Sequence, residues 1–171
     1  MKKPGFLLLY ILLAIAQVLL GNFFNFSPYL MITFLPVMVL CIPIDKGPIF
    51  AMTAAFCTGF AVDFLCDGML GLTSLALVPA ALCRSGILRL VFGSEIFSRQ
   101  ENISIRRQGI LKMMLGTLLV TAVYLAVYIL ADSAGTRPVW FDLLKFGISL
   151  VASTLVSFFV SDLLTSEQRW K

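Results

Sequence analysis

The chain has 171 residues, of which 60% are hydrophobic and 13% charged, and its mean hydropathy is +0.98. A soluble domain is about half apolar and a quarter charged, so this composition excludes a water-surrounded globule and makes lipid the solvent. The absence of histidine removes the commonest metal ligand, the usual base beside a nucleophilic serine or cysteine, and the ordinary proton shuttle of neutral pH.

A membrane crossing needs about 20 apolar residues, so about six fit this length. Segment one, Phe6 to about Phe24, follows Lys2 and Lys3 and imitates a secretory signal. Its small pair Ala14 and Ala16 lies inside the apolar run, where cleavage would cut mid-helix, so an uncleaved first span is expected. Segment two, about Tyr29 to Ile44, carries Pro36 inside and Pro43 near its end; a kinked helix is predicted, its freed backbone groups satisfied by neighbouring helices. Segment three starts at Pro48, a residue suited to a first helical turn, and reaches about Cys66. Segment four, about Met69 to Val91, holds Pro79 in its middle and ends on Arg84 and Arg89, which can snorkel. Segments five and six run from about Met113 to Ala131 and from Phe141 to Leu164.

The expected fold is all-α, a polytopic membrane protein forming one six-helix transmembrane domain over residues 1–171, with no soluble domain at either end. Placing both termini in the cytoplasm puts Lys2, Lys3, Lys46, Arg84, Arg89, Arg99, Arg106, Arg107, Lys112, Arg169 and Lys171 inside, and leaves Arg137 and Lys145 outside. That asymmetry is the positive-inside signal, and Trp140 and Trp170 fall at the outer and inner interfaces, where amphipathic rings belong. The net charge of +4 thus reports topology and not nucleic-acid binding. Cys41, Cys57, Cys66 and Cys83 show no Cys-x-x-Cys pair and read as small buried hydrophobes. Along one helix Cys57 and Cys66 lie about 13 Å apart, too far for a disulfide.

The longest loop, 93–112, is placed in the cytoplasm. It sets Ile96, Phe97, Ile103 and Ile105 among Arg99, Arg106 and Arg107. Two alternatives stand for it: an interfacial segment held by anionic lipid at about 1 kcal/mol per basic residue, or a docking surface for a cytoplasmic partner. The sequon Asn102-Ile103-Ser104 faces the wrong side for glycosylation.

Two ridges carry the polar residues of the spans. In segment three Ala51, Ala55, Gly59, Asp63 and Asp67 recur at every fourth position, so small side chains admit another helix closely and Asp63 faces protein. Two carboxylates at a helix C-terminus oppose its dipole and repel each other. Asp67, followed by Gly68, escapes by capping the fourth helix, while Asp63 needs a compensating cation or a proton. Segment six repeats Lys145, Ser149, Ser153, Ser157 and Ser161 at the same spacing. Because segments three and six run in opposite directions, Asp63 and Lys145 share the outer end, and an Asp63–Lys145 pair closing two packed ridges is the expectation; the alternative is a snorkelling Lys145 and serines facing another helix.

Gly59-x3-Asp63-x3-Asp67 also matches the second half of the CDP-alcohol phosphatidyltransferase signature. The first half fails: Asp45 meets one acid, but Ile42 stands at the other, and Asp45 lies on the opposite membrane face from Asp63, too far for a two-metal site. A serine-lysine dyad would need Lys145 buried, against its interfacial position. No catalytic, metal or cofactor residue is assigned, and the chain is expected to be no enzyme.

Gly59-x3-Asp63-x4-Gly68-x2-Gly71-Leu72, preceded by the proline-bearing segment with Pro36 and Pro43, resembles the rod-shape-determining membrane protein family MreD. The likeness is clearest from about residue 30 to 90 and extends to length, six-span layout and basic terminus. It implies a non-enzymatic scaffold of the bacterial inner membrane, in the elongation complex that shapes the cell and builds peptidoglycan. Its partners would be MreC and, in the same complex, MreB, RodA and a class B penicillin-binding protein. Gly59, Asp63, Asp67, Gly68, Gly71, Leu72 and Lys145 are the structural or partner-binding candidates. The alternative is the substrate-binding subunit of an energy-coupling-factor vitamin transporter, also a compact six-helix protein of related fold. Against it, the outer loop at 21–28 offers few polar groups to orient a vitamin.

Overall fold

The computed structural model describes residues 4–23, 30–43, 46–66, 69–93, 109–134 and 138–167, with side chains for all but 4–7 and 165–167. Among the described residues six helices follow in order: α1 Pro4–Phe23, α2 Leu35–Leu40, α3 Gly47–Leu65, α4 Leu72–Phe92, α5 Ile110–Ser133 and α6 Val139–Glu167. No strand occurs among the described residues. Four of these helices, α3 to α6, are long and apolar enough to cross a membrane, and α1 runs 20 residues. All five lie within three residues of the ends expected from hydropathy.

Segment two is the exception. In place of a kinked spanning helix, residues 30–34 are non-helical and α2 has only 6 residues, about 9 Å of helix. Pro36 does not kink this helix; it stands in the first turn, where the missing N–H has no helical acceptor to lose. Val37, Met38, Val39 and Leu40 have no exposed surface.

The other five helices surround α2. α3 packs on α4, α4 on α5 and α5 on α6, while α1 lies against both α3 and α6; α2 touches all five. α1 and α3 run parallel, as Tyr10 Oη to Thr58 Oγ1 at 3.0 Å and Cys66 Sγ to Val18 O at 4.0 Å share one sequence offset. The apolar residues left outside, among them Leu8, Ile15 and Leu19 of α1, Phe56, Phe60 and Phe64 of α3, and Leu155 and Phe159 of α6, are suited to lipid contact. Apolar side chains gain nothing by leaving lipid for protein, so cohesion here rests on close packing and on polar contacts between helices.

Of the four cysteines only Cys41 is buried; Cys66 is half-buried, and Cys57 and Cys83 are exposed. Burial was expected for all four, and the two exposed thiols belong to the apolar exterior.

Candidate functional site

The small-residue ridge of α3 meets the start of α4. Ala51 and Ala55 have no exposed surface, and a Cβ added to Gly59 would stand 2.7 Å from Ser74 Cα and 2.8 Å from Ser74 N. Only glycine allows the two backbones to approach so closely at that point.

One turn further along α3, Asp63 is 5% exposed and accepts hydrogen bonds from the backbone of α4. Its Oδ2 takes the N–H of Gly71 at 3.0 Å, of Thr73 at 3.1 Å and of Ser74 at 3.3 Å, and its Oδ1 shares that of Thr73 at 3.2 Å. These N–H groups have no partner within α4, and the helix dipole there favours a negative charge. Asp63 therefore caps α4 from the preceding helix. The N-cap residue itself is Gly71, at φ 92, with no cap from its own side chain, and Leu72 is the first, half-buried helical residue. Asp67, expected to cap this helix, and Gly68 lie outside the described residues; α4 starts at Leu72, and Asp63 supplies the acceptor.

The expected Asp63–Lys145 pair does not form. Lys145 Nζ bonds Asp132 Oδ2 at 3.0 Å, across the α5–α6 turn, and Asp63 is neutralised by a helix start. The two ridges do not pack together either: Ser149 and Ser153 of α6 face segment two.

Residues 31–34 are held on both edges. On one side Ser149 Oγ accepts the Met31 N–H at 3.0 Å, while Ser153 Oγ accepts the Thr33 N–H at 3.1 Å and donates to Met31 O at 3.1 Å. On the other, Gln17 Nε2 donates to Ile32 O at 3.2 Å and Gln17 Oε1 accepts the Phe34 N–H at 3.1 Å. Alternate residues thus turn to opposite sides, as in an extended chain whose backbone groups alternate. Side chains of α6 and α1 replace the neighbouring strands that lipid could not supply.

Arg84 closes the other end of this segment. It was expected to snorkel, yet it is 5% exposed: its Nε donates to Leu40 O at 3.2 Å, and its Nη2 to Ile42 O. These carbonyls end α2, where a cation is favoured.

Sequence reasoning missed Gln17 and Arg84 as partners of segment two and Asp132 as the partner of Lys145. A lone glutamine in the middle of an apolar span was the available signal for Gln17. Further down the serine ridge, Ser161 Oγ bonds its own helix at Phe158 O, 2.7 Å away. Ser157 Oγ and Thr121 Oγ1 are buried without a hydrogen-bond partner among the described residues. Trp140, in the first turn of α6, is 73% exposed; Trp170, Asp45 and the loop segment 94–108 lie outside the described residues.

These features define an all-helical protein of multi-pass membrane proportions, whose buried polar side chains serve mainly to complete the backbone hydrogen bonds of a broken segment and a helix start. No protein-family model, curated protein or solved structure matches the chain.

Proposed function

We propose that this chain is a non-enzymatic, integral inner-membrane scaffold of the bacterial elongation complex, of the MreD kind, which supports cell shape and peptidoglycan synthesis by binding MreC and, in the same complex, RodA, a class B penicillin-binding protein and MreB. The observation that carries the proposal is the convergence of Gly59, Asp63, Gly71 and Leu72 at one α3–α4 corner. Their functions there are close approach and capping, so the short motif behind the family resemblance corresponds to one structural device. Exposed apolar helix faces are the surface left for other membrane proteins. Both termini lie in the cytoplasm in this proposal, on the strength of the basic residues gathered on that side.

Depletion in a rod-shaped host is the test. Rounding of the depleted cells is the expected result, together with copurification of a single-span, coiled-coil periplasmic protein with the chain before depletion; cells that keep their shape and wall synthesis would overturn the proposal.

The hydroxyls of Thr121 and Ser157, buried without a partner among the described residues, favour one second reading, a vitamin-binding transporter subunit, because a buried polar group calls for a partner and a bound ligand can supply one. Thermal stabilisation of the purified protein by a water-soluble vitamin would select it.

A further inference from the structure

Tyr124, in α5, is the largest fully buried side chain among the described residues. Its ring packs on that of Tyr128, with centres 5.8 Å apart. Its hydroxyl lies beside the side chains of Thr73 and Thr33 and within electrostatic reach of Asp63. α5 packs on both α4 and α2, so Thr73, in the first turn of α4, and Thr33, two residues before α2, approach it from two different elements.

The two threonines belong to the two polar regions of the fold. Thr73 is the corner residue whose N–H meets both oxygens of Asp63, at 3.2 and 3.1 Å. Thr33 stands where the extended stretch of segment two gives way to α2. Its N–H goes to Ser153 Oγ at 3.1 Å, and its own Oγ1 accepts the Leu35 N–H at 3.4 Å. Thr73 is 6% exposed and Thr33 not at all. A hydroxyl shut away from water costs free energy unless it is hydrogen-bonded. Tyrosine and threonine hydroxyls each donate and accept, so a phenol beside two threonines can donate to one and accept from the other. Bonds joined in such a chain strengthen one another and respond together.

We propose that the Tyr124 hydroxyl joins Thr73 to Thr33 and thereby couples the α3–α4 corner to segment two as one cooperative unit. The line runs from the Asp63 carboxylate through Thr73, Tyr124 and Thr33 to Ser153, from α3 to α6. A disturbance of the corner tilts the start of α4 and draws the Thr73 hydroxyl away from Tyr124. Thr33 is then less firmly held, and with it the Leu35 N–H and the backbone of 31–35. Such a device lets a molecule that engages the corner alter the interior of the bundle, and it does not rest on the scaffold function proposed above.

Hydrogen–deuterium exchange of the purified full-length protein in a neutral detergent, read on peptides that cover 31–35, tests the link. Asp63→Asn is expected to speed exchange there by about threefold, the size of one ordinary hydrogen bond between membrane helices, beyond any change at 158–164 in α6. In a Tyr124→Phe background Asp63→Asn should add nothing at 31–35, because the link is already broken. Thr73→Val, which keeps the backbone N–H that Asp63 holds, should abolish the response in the same way. Gly71→Ala, strained at φ 92 by its new side chain, disturbs the corner without touching the carboxylate and should give the same pattern if Asp63→Asn does not fold.

The proposal is overturned if the corner variants leave 31–35 exchanging as in wild type. It fails equally if they speed exchange there to the same extent with and without the Tyr124 hydroxyl, which would assign the transmission to packing alone. A rise shared evenly by all peptides also counts against it, since a general loss of stability needs no link.

Discussion

The α3–α4 corner and segment two solve the same problem in opposite ways. At the corner, one carboxylate serves several N–H groups of a helix start eight to eleven residues later in the chain. In segment two, several weak side chains each serve one or two backbone groups, and Ser149 and Ser153 come from 118 to 122 residues away. In both regions the polar side chain partners backbone, not another side chain. What differs is concentration: the corner depends on a single charged atom group, while the load on segment two is shared between α1, α4 and α6. A deep deletion effect is expected at the first and shallower, separable effects at the second.

Asp63→Ala is expected to have the largest effect. It would leave the buried N–H groups of Thr73 and Ser74, and that of Gly71, without their acceptor, a loss of about 3 kcal/mol or more given the strength of bonds to a charged group. Unfolding of the purified protein by heat or in mixed micelles measures it. Asp63→Asn, which keeps one acceptor oxygen, should recover part of the loss. A small effect of Asp63→Ala, similar to that of a serine deletion, would break the contrast between the two regions.

Next in size comes Ser153→Ala. It removes partners from the Thr33 N–H and the Met31 carbonyl together, for about 1–2 kcal/mol on the scale of polar contacts between membrane helices. Gln17→Leu should behave alike, because it frees Ile32 O and the Phe34 N–H on the opposite edge. Were both variants as stable as wild type, the backbone of 31–34 would have to be satisfied some other way.

The regions also differ in how much of them could be foreseen. Hydropathy located α1 and α3 to α6, because α3 to α6 are apolar over a spanning length and α1 over a shorter one. The same apolar composition misplaced segment two: a stretch buried in protein reads like one buried in lipid, and Leu35 to Leu40 lies wholly inside the fold. Pro36 predicts a kink only where helix precedes it, and residues 30–34 are not helical. The inward faces of both ridges are legible from their fourth-residue spacing, but not their partners. A buried Asp63 calls for a cation among side chains, yet a helix start carries equivalent partial charge. Shared depth points Lys145 to that acid, yet Asp132, at the end of the preceding helix, is nearer in sequence and is its partner.

A swap of charges sharpens that last point. Lys145 is buried, but its partner Asp132 still reaches water, with side-chain values of 11% and 24%, so each single substitution, Lys145→Asp or Asp132→Lys, should cost about 1 kcal/mol, the upper end of the range for water-accessible pairs. The double variant Asp132→Lys with Lys145→Asp should regain most of this in thermal unfolding. The corresponding exchange of Asp63 with Lys145 should regain nothing, and a recovery there would reinstate the pair that the geometry rejects.

The smallest effect is the one that best separates spacing from function within a ridge. Ser153 and Ser157 are neighbours on the same face of α6, and both are fully buried, so their surroundings differ little in exposure. Ser153 donates one hydrogen bond and accepts another, whereas the Ser157 hydroxyl meets no partner. Removing a bonded hydroxyl strands its partners; removing an unbonded one relieves a desolvated polar group and can be neutral or stabilising. Ser157→Ala should therefore melt at the wild-type temperature or slightly above it, while Ser153→Ala melts below. If Ser157→Ala instead loses as much stability as Ser153→Ala, that hydroxyl has a partner in solution, which would favour the ligand-binding reading of this protein.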